Sequence, residues 1–329
     1  MKEGIKRIAI TGGAGQIAYQ LLFRLASGEV FGHDQPVSLH ILEIEPMLKV
    51  LEGVEMELCD SAFKVLKEIH IGSNPKEIFK DVDYALLVGS KPRGPAMERA
   101  DLLNENGQIF VGQGRALNEV AKRDVKVIVV GNPCNTNCLI AMKNAPDLNP
   151  KNFHAMTRLD QNRATALLAK KASVDVSQVT NMAIWGNHSS TQVPDFFNAK
   201  IDEKPVMDVI KDRDWLETEF IPLVQKRGAA VIAARGKSSA ASAAQAVIDT
   251  ILSLEKKSEE GHFFSTAVFS GGNGYGIADD LIFSFPCISK GHGNYEIVKG
   301  LPWNDFLKER IMLSEKELLE EKELIKTKF

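Results

Sequence analysis

The stretch Arg7-Ile8-Ala9-Ile10-Thr11-Gly12-Gly13-Ala14-Gly15-Gln16-Ile17-Ala18 decides the fold. Arg7–Thr11 is a short, β-branched apolar run and reads as a strand. From Gln16 to Ala26, Ile17, Leu21, Leu22 and Leu25 recur at helical spacing, and Gly28 supplies a stop. Between strand and helix the spacing is G-x-x-G-x-x-A, a variant of the dinucleotide-binding fingerprint. Glycine permits a tight turn and lets backbone approach a pyrophosphate. The small Ala18 lets helix and strand pack closely, and the helix N-terminus offers unpaired N–H groups and a partial positive charge. Gly12, Gly13, Ala14, Gly15, Gln16, Ile17 and Ala18 are therefore candidate cofactor contacts. The competing reading is a plain Gly-rich turn; the strand before it and the helix after it count against that.

Outward from this turn the first half alternates strand and helix. Val37–Leu42 reads as a strand, Pro46–Leu58 as a helix and Glu68–Gly72 as a shorter strand. Tyr84–Val88 and Lys126–Val130 are nearly all apolar, as expected of strands covered on both faces in a parallel sheet. His154–Thr157 is one further strand after the connection Asn144–Asn152. The order predicts an α/β fold with a doubly wound, Rossmann-type parallel sheet over residues 1–152. Residues 153–329 read as a mixed α/β substrate domain. There the pattern predicts helices at Leu159–Ala172, Trp215–Ala234 and Ser238–Leu254. It predicts strands at Val179–Trp185, Phe263–Ser270 and Leu281–Phe285, and a final helix whose capping box is Ser314 with Glu317.

Composition sets limits. A chain of 329 residues suits two domains. With 44% hydrophobic and 25% charged residues it is not a disordered chain. The net charge of −3, without a basic run, gives no electrostatic footprint for nucleic acid. No apolar stretch approaches the length of a membrane-spanning helix. The charged start, followed only by Ile8-Ala9-Ile10, is too short an apolar run for a signal-peptide core. Four cysteines do not make a disulfide framework, and Cys134 and Cys138 lack the second pair of a zinc site. The expectation is a cytoplasmic protein without a structural metal, a nucleic-acid partner or a membrane partner.

Several residues carry candidate chemistry. Glu43, at the end of the second strand, can accept hydrogen bonds from a ribose 2′-OH and would repel a 2′-phosphate, so the cofactor should be NAD. Arg93 and Arg99 lie on the Pro/Gly loop after the fourth strand, where guanidinium forks suit carboxylates. Pro133 ends the fifth strand and turns Asn132 out at the same sheet edge. Asp160 and Arg163, three apart on a helix, share one face. Of seven histidines, His188 stands best for chemistry, amid Gly186, Asn187 and small hydroxyl residues after an apolar strand.

Taken together, these segments resemble the lactate/malate dehydrogenase family, and most of all its cytosolic malate branch. The resemblance runs from Ile8 to about Lys322. It rests on I-T-G-G-A-G-Q-I-A at Ile10–Ala18, G-S-K-P-R-G-P-A-M-E-R-A-D-L-L at Gly89–Leu103, and V-G-N-P-C-N-T-N-C at Val130–Cys138. T-R-L-D-Q-N-R at Thr157–Arg163, I-W-G-N-H-S-S-T-Q at Ile184–Gln192 and G-N-G-Y-G-I-A-D-D-L at Gly272–Leu281 extend it. It implies hydride transfer between NAD and a small dicarboxylate, malate or oxaloacetate. His188 would be the acid/base and Asp160 its orienting carboxylate. Arg163 would hold the C1 carboxylate, Arg99 polarise the carbonyl and Arg93 select a second carboxylate. Asn132 would touch substrate and cofactor. Asn106, Gln113 and Val130 match cofactor contacts, and Ser238 or Ser239 would line the substrate pocket. A homodimer serving the tricarboxylic acid cycle is implied as well. The chain departs from the pattern in two places: Glu43 stands where relatives more often carry Asp, and Gly94-Pro95 replaces charged residues.

Three other readings compete. A short-chain reductase or epimerase needs Tyr-x-x-x-Lys on a central helix, and the one such pair, Tyr295 and Lys299, lies near the C-terminus. A non-enzymatic NAD sensor would not need the acid, histidine and arginine set. A lactate-type enzyme would not need Arg93.

Overall fold

Strand β1 (Lys6–Thr11) runs between β2 (Val37–Leu42) and β4 (Tyr84–Leu87), parallel to both. The structure is a computed structural model; it describes residues 4–91 and 99–329, apart from the side chains of residues 99–102 and 104. Between the strands come α1 (Gln16–Ala26), α2 (Leu48–Asp60), β3 (Leu66–Gly72) and α3 (Pro75–Ile78). After β4 follow α4 (Arg99–Val120), β5 (Lys126–Val129), α5 (Cys134–Lys143) and β6 (Phe153–Ala155). The strand order is β6-β5-β4-β1-β2-β3. Chain order therefore reverses between β1 and β4. In doubly wound sheets, ligands bind beyond the carboxyl ends of the strands at such a point.

Burial explains these elements. Every residue of β2 and β4 is buried, as in strands covered on both faces. Helix α1 buries Ala18, Leu21, Leu22, Leu25 and Ala26. Each fully buried leucine stabilises that packing by about 1.5–3 kcal/mol relative to exposure.

The chain divides into two compact units, Met1–His154 with Ala243–Ile248 and Glu323–Phe329, and Ala155–Ser242 with Asp249–Lys322. Sequence pattern puts a single boundary between 152 and 153. The division instead follows His154, and two later segments return to the first unit.

The second unit opens with α6 (Arg158–Ala172), β7 (Val179–Thr180), β8 (Ala183–Trp185) and β9 (Val193–Asp195). Next come β10 (Lys200–Ile201), β11 (Lys204–Pro205), α7 (Val206–Val209) and α8 (Arg213–Trp215). The chain continues with α9 (Ile221–Arg235), α10 (Ala241–Glu255), whose Ala243–Ile248 segment belongs to the first unit, β12 (Phe264–Phe269), β13 (Ile282–Gly291), β14 (Asn294–Ile297) and α11 (Asp305–Ile325), whose end does so too. Strands β12, β13 and β14 pair antiparallel, and β8 pairs antiparallel with β9. One apolar cluster packs Phe196, Phe220 and Leu168 under α6 and α9; another gathers Trp185, Phe283 and Phe285.

Four expectations are corrected here. Val179–Trp185 is two strands, because Asn181 adopts φ +56 and breaks the extended run. The helix expected from Trp215 starts with α8 and passes through a π-helical segment, Leu216–Phe220, before α9 begins. Strand β13 runs on to Gly291, well past Phe285. Ser314 and Glu317 do not open the last helix, which begins at Asp305. Ser314 lies in its middle, and its hydroxyl accepts the Asn187 N–H at 2.8 Å instead of capping.

Candidate active site

The first unit presents the glycine turn. Gly12 has φ +70, and a Cβ there would stand 2.7 Å from the Gly89 backbone. Only glycine fits where the ends of β1 and β4 draw so close. Thr11 Oγ1 holds the opposite side by accepting the Gly89 N–H at 3.0 Å. Gly15 occupies the N-cap of α1 with no side-chain cap, and no acidic residue sits in the first turn. Gly15 and Gln16 are exposed. The uncapped, solvent-facing N–H groups and the glycine cradle fit a pyrophosphate. Glu43 bends back to this turn: Oε2 accepts the Ala14 N–H at 3.1 Å and Oε1 the Ile44 N–H at 2.9 Å.

Asn106 is wholly buried. Its Oδ1 accepts the Lys91 N–H at 2.7 Å, and its Nδ2 donates to the carbonyls of Lys91 and Asn132 at 3.1 and 3.0 Å. Its side chain thus ties the loop after β4 to the turn after β5. Asn132 is exposed at that turn, and Val130 is buried behind it. Gln113, on α4, is buried with an Oε1 that meets no partner among the described residues.

The second unit gathers its chemistry on one carboxylate. Asp160 is fully buried near the start of α6. Its Oδ2 takes His188 Nδ1 at 2.5 Å. Its Oδ1 takes Arg163 Nη1 at 3.2 Å and Gln192 Nε2 at 3.3 Å. The spacing of three residues on α6 lets Arg163 reach back to Asp160. Arg163 Nη2 also donates to Ser239 Oγ at 3.2 Å, so of the two candidate serines Ser239 is the one that meets it. His188 keeps 17% of its side chain exposed.

Electrostatics follow from this geometry. Burial alone would raise Asp160, but His188, Arg163 and Gln192 hold its carboxyl below the usual value. Burial alone would lower His188, but the charge and hydrogen bond of Asp160 lift it above the usual value, against the smaller opposing effect of Arg163. The Nδ1–H is committed to the carboxylate, which fixes the neutral ring in the tautomer with Nε2 unprotonated.

Arg93, Gly94-Pro95 and most of the loop that carries them lie outside the described residues. Arg99 begins α4, with its side chain also outside. Gln192 was not legible as a functional residue. The signal was its place at the end of the histidine motif, but its bond to Asp160 joins residues on different elements. Among the described residues, no group of three or more His, Cys, Asp or Glu could hold a metal ion.

Family comparison bears on both units. Residues 6–154 match the NAD binding domain of lactate/malate dehydrogenase, and residues 157–329 match its alpha/beta C-terminal domain. The chain belongs to the lactate/malate dehydrogenase family. It is 60% identical to a malate dehydrogenase of Protochlamydia amoebophila (strain UWE25), over 95% of each chain. It is also 60% identical to malate dehydrogenase [NADP] 1, chloroplastic, of Sorghum bicolor, over 93% of this chain and 72% of that one. A malate dehydrogenase crystal structure from Naegleria fowleri ATCC 30863 is 46% identical, covers all of both chains and superposes with a TM-score of 0.96. Trichomonas vaginalis lactate dehydrogenase, solved with NADH and oxamate, is 40% identical over 98% of each chain, with a TM-score of 0.93. The fold of the lactate/malate dehydrogenases, a Rossmann-like N-terminal unit and an α/β C-terminal one, is thus this chain's fold.

Proposed function

We propose that this chain is an NAD-dependent malate dehydrogenase that interconverts (S)-malate and oxaloacetate. The observation that carries the reading is the shared carboxylate: one buried Asp160 orients a histidine and an arginine together. A histidine so braced can lend and recover a proton, and an arginine beside it can hold a carboxylate.

When bound, the nicotinamide supplies or accepts the hydride; Gly12–Ala18 and Glu43 would hold its dinucleotide, with Asn106, Gln113, Val130 and Asn132 about the same sheet edge. In reduction, protonated His188 gives its Nε2 proton to the oxygen of the keto group. Asp160 stabilises the imidazolium before transfer and afterwards holds the neutral ring in the Nδ1–H tautomer, whose Nε2 can accept a proton. Arg163 pairs with the C1 carboxylate, with Ser239 fixing the guanidinium. Arg99 is assigned to the carbonyl oxygen and Arg93 to the second carboxylate on the family resemblance. In oxidation, neutral His188 takes the hydroxyl proton.

NAD rather than NADP rests on Glu43, whose carboxylate would face a 2′-phosphate with like charge. Relatives named for NADP make the alternative concrete. A homodimer in the cytoplasm, serving the tricarboxylic acid cycle, belongs to the same proposal on the resemblance alone.

Steady-state assays of the purified protein with NADH and NADPH against oxaloacetate, pyruvate and 2-oxoglutarate test it. The reading expects oxaloacetate with NADH to be the best pair by kcat/KM. A preference for pyruvate would move the chain to the lactate branch, and equal use of NADPH would remove the role given to Glu43.

A further inference from the structure

The turn that carries His188 is bound from behind by α11. Asn187 N–H donates to Ser314 Oγ at 2.8 Å. Asn187 Nδ2 donates to Glu317 Oε2 at 2.9 Å and to Glu321 Oε1 at 3.0 Å. Thr191 Oγ1 donates to the same Glu317 oxygen at 2.7 Å, and Ser189 Oγ makes a shorter bond to it. Ser314, Glu317 and Glu321 follow one another at helical spacing and so present one face. Ser314 is wholly buried, and Glu321 is only 3% exposed. At Gly186 the approach is so close that a Cβ would collide with the Ser314 side chain.

Glu317 is partly buried and Glu321 buried; carboxylates withdrawn from water in this way are costly unless hydrogen-bonded, and apolar packing would serve stability at least as well. Here their partners are side chains one and three residues from His188. We propose that Ser314, Glu317 and Glu321 are positioning residues for catalysis, fixing the turn so that the His188 ring stays on Asp160. They do not touch the reacting atoms. The inference rests on His188 as the acid/base proposed above.

The geometry gives the expected signature. Asp160 and Arg163 both act on His188 through their charge, Asp160 raising and Arg163 lowering its pKa. If the turn loosens, the imidazole moves off Asp160 and becomes easier to deprotonate. The pH limb that reports His188 in kcat/KM then shifts to lower pH, which a loss of stability alone would not produce.

The test compares Glu317→Ala, Glu317→Gln, the loop-side double variant Ser189→Ala with Thr191→Val, and His188→Asn. Measured are kcat and pH profile for oxaloacetate reduction, KM for NADH and thermal midpoint. We expect Glu317→Ala and the loop-side double variant to lose tenfold or more in kcat. Their KM for NADH should stay within twofold, and their pH limb should fall. Glu317→Gln should recover part of kcat, because its amide oxygen can accept the same donors. Parental kcat and an unmoved limb in the loop-side variant would overturn the proposal. So would losses that track the thermal midpoint with no shift of the limb. If Glu317→Ala does not fold, the loop-side variant decides, since it leaves α11 intact. Parental turnover in His188→Asn would instead overturn the catalytic assignment itself. An inactive His188→Asn beside unaffected loop variants would remove the positioning role alone.

Discussion

His188 Nδ1 lies 2.5 Å from Asp160 Oδ2, and this pairing sets the sign of the pH dependence. Burial works against the imidazolium, and the carboxylate more than offsets it, so His188 titrates above its ordinary value. In the role proposed for His188, keto-acid reduction would need the protonated ring, which is present below that raised pKa. Hydroxy-acid oxidation would need the neutral ring and gain above it.

Asp160→Asn should therefore do two things. It removes the attraction that lifts His188, so the limb for oxaloacetate reduction moves to lower pH. It also leaves the ring tautomer unenforced. Positioned proton transfer contributes roughly 10²–10⁴-fold, and kcat near neutral pH should fall within that range. Rates measured across the acid, neutral and alkaline range with NADH and oxaloacetate check both. An unmoved limb would separate Asp160 from the acid/base role.

Glu43→Gln tests cofactor choice. Two like charges about 4 Å apart near a protein surface repel by about 4 kcal/mol at an effective dielectric of about 20. Glu43 is partly exposed, so screening reduces this, and about 1–2 kcal/mol is a fair expectation. That corresponds to roughly a tenfold gain for NADPH relative to NADH. The ratio of the two kcat/KM values is the measurement. A rise in KM for NADH should accompany it, because the neutral amide of the variant no longer offers a charged acceptor to the Ala14 N–H.

Which parts were legible in the sequence follows from the range of the forces involved. Helix α1 and strand β2 end where periodicity puts their ends, because their apolar patterns are local and their buried positions repeat along each element. The Asp160 and Arg163 pair was legible for the same reason, being three apart on one helix. Ser314 and Glu317 misled. Their spacing is that of a capping box, but their partners, Asn187, Ser189 and Thr191, lie far away in the chain. The break at Asn181 was hidden in a largely apolar run, since a single left-handed residue leaves no periodic trace. Gln192 needed the fold to bring it to Asp160.

Gly12→Ala should damage the first unit and its cofactor site together. An alanine at φ +70 costs about 1–2 kcal/mol from its own Cβ, before any contact. The added methyl then meets Gly89 backbone at 2.7 Å, which cannot rotate away as a side chain would. At roughly 2–4 °C per kcal/mol for a domain of this size, the thermal midpoint should drop by about 4 °C or more. NADH affinity, followed by fluorescence titration, should fall at least tenfold. Parental values in both would mean that β1 and β4 separate readily and that the cradle is not a fixed feature.

Gln192→Leu distinguishes stability from catalysis. The Gln192 amide donates to a buried charged acceptor, a bond of about 1.5–3 kcal/mol. Its Oε1, buried without a partner among the described residues, costs about 1–3 kcal/mol of desolvation. Leucine loses both the gain and the cost, so the thermal midpoint should move by only a few degrees in either direction. Asp160 nevertheless loses one of its three donors among the described residues and is held less firmly for His188. Its carboxyl becomes easier to protonate, since that hydrogen bond helps keep it ionised. The acid limb of activity should then rise in pH while kcat falls several-fold and the midpoint stays nearly constant. A large drop in midpoint with unchanged kcat would assign Gln192 to packing instead.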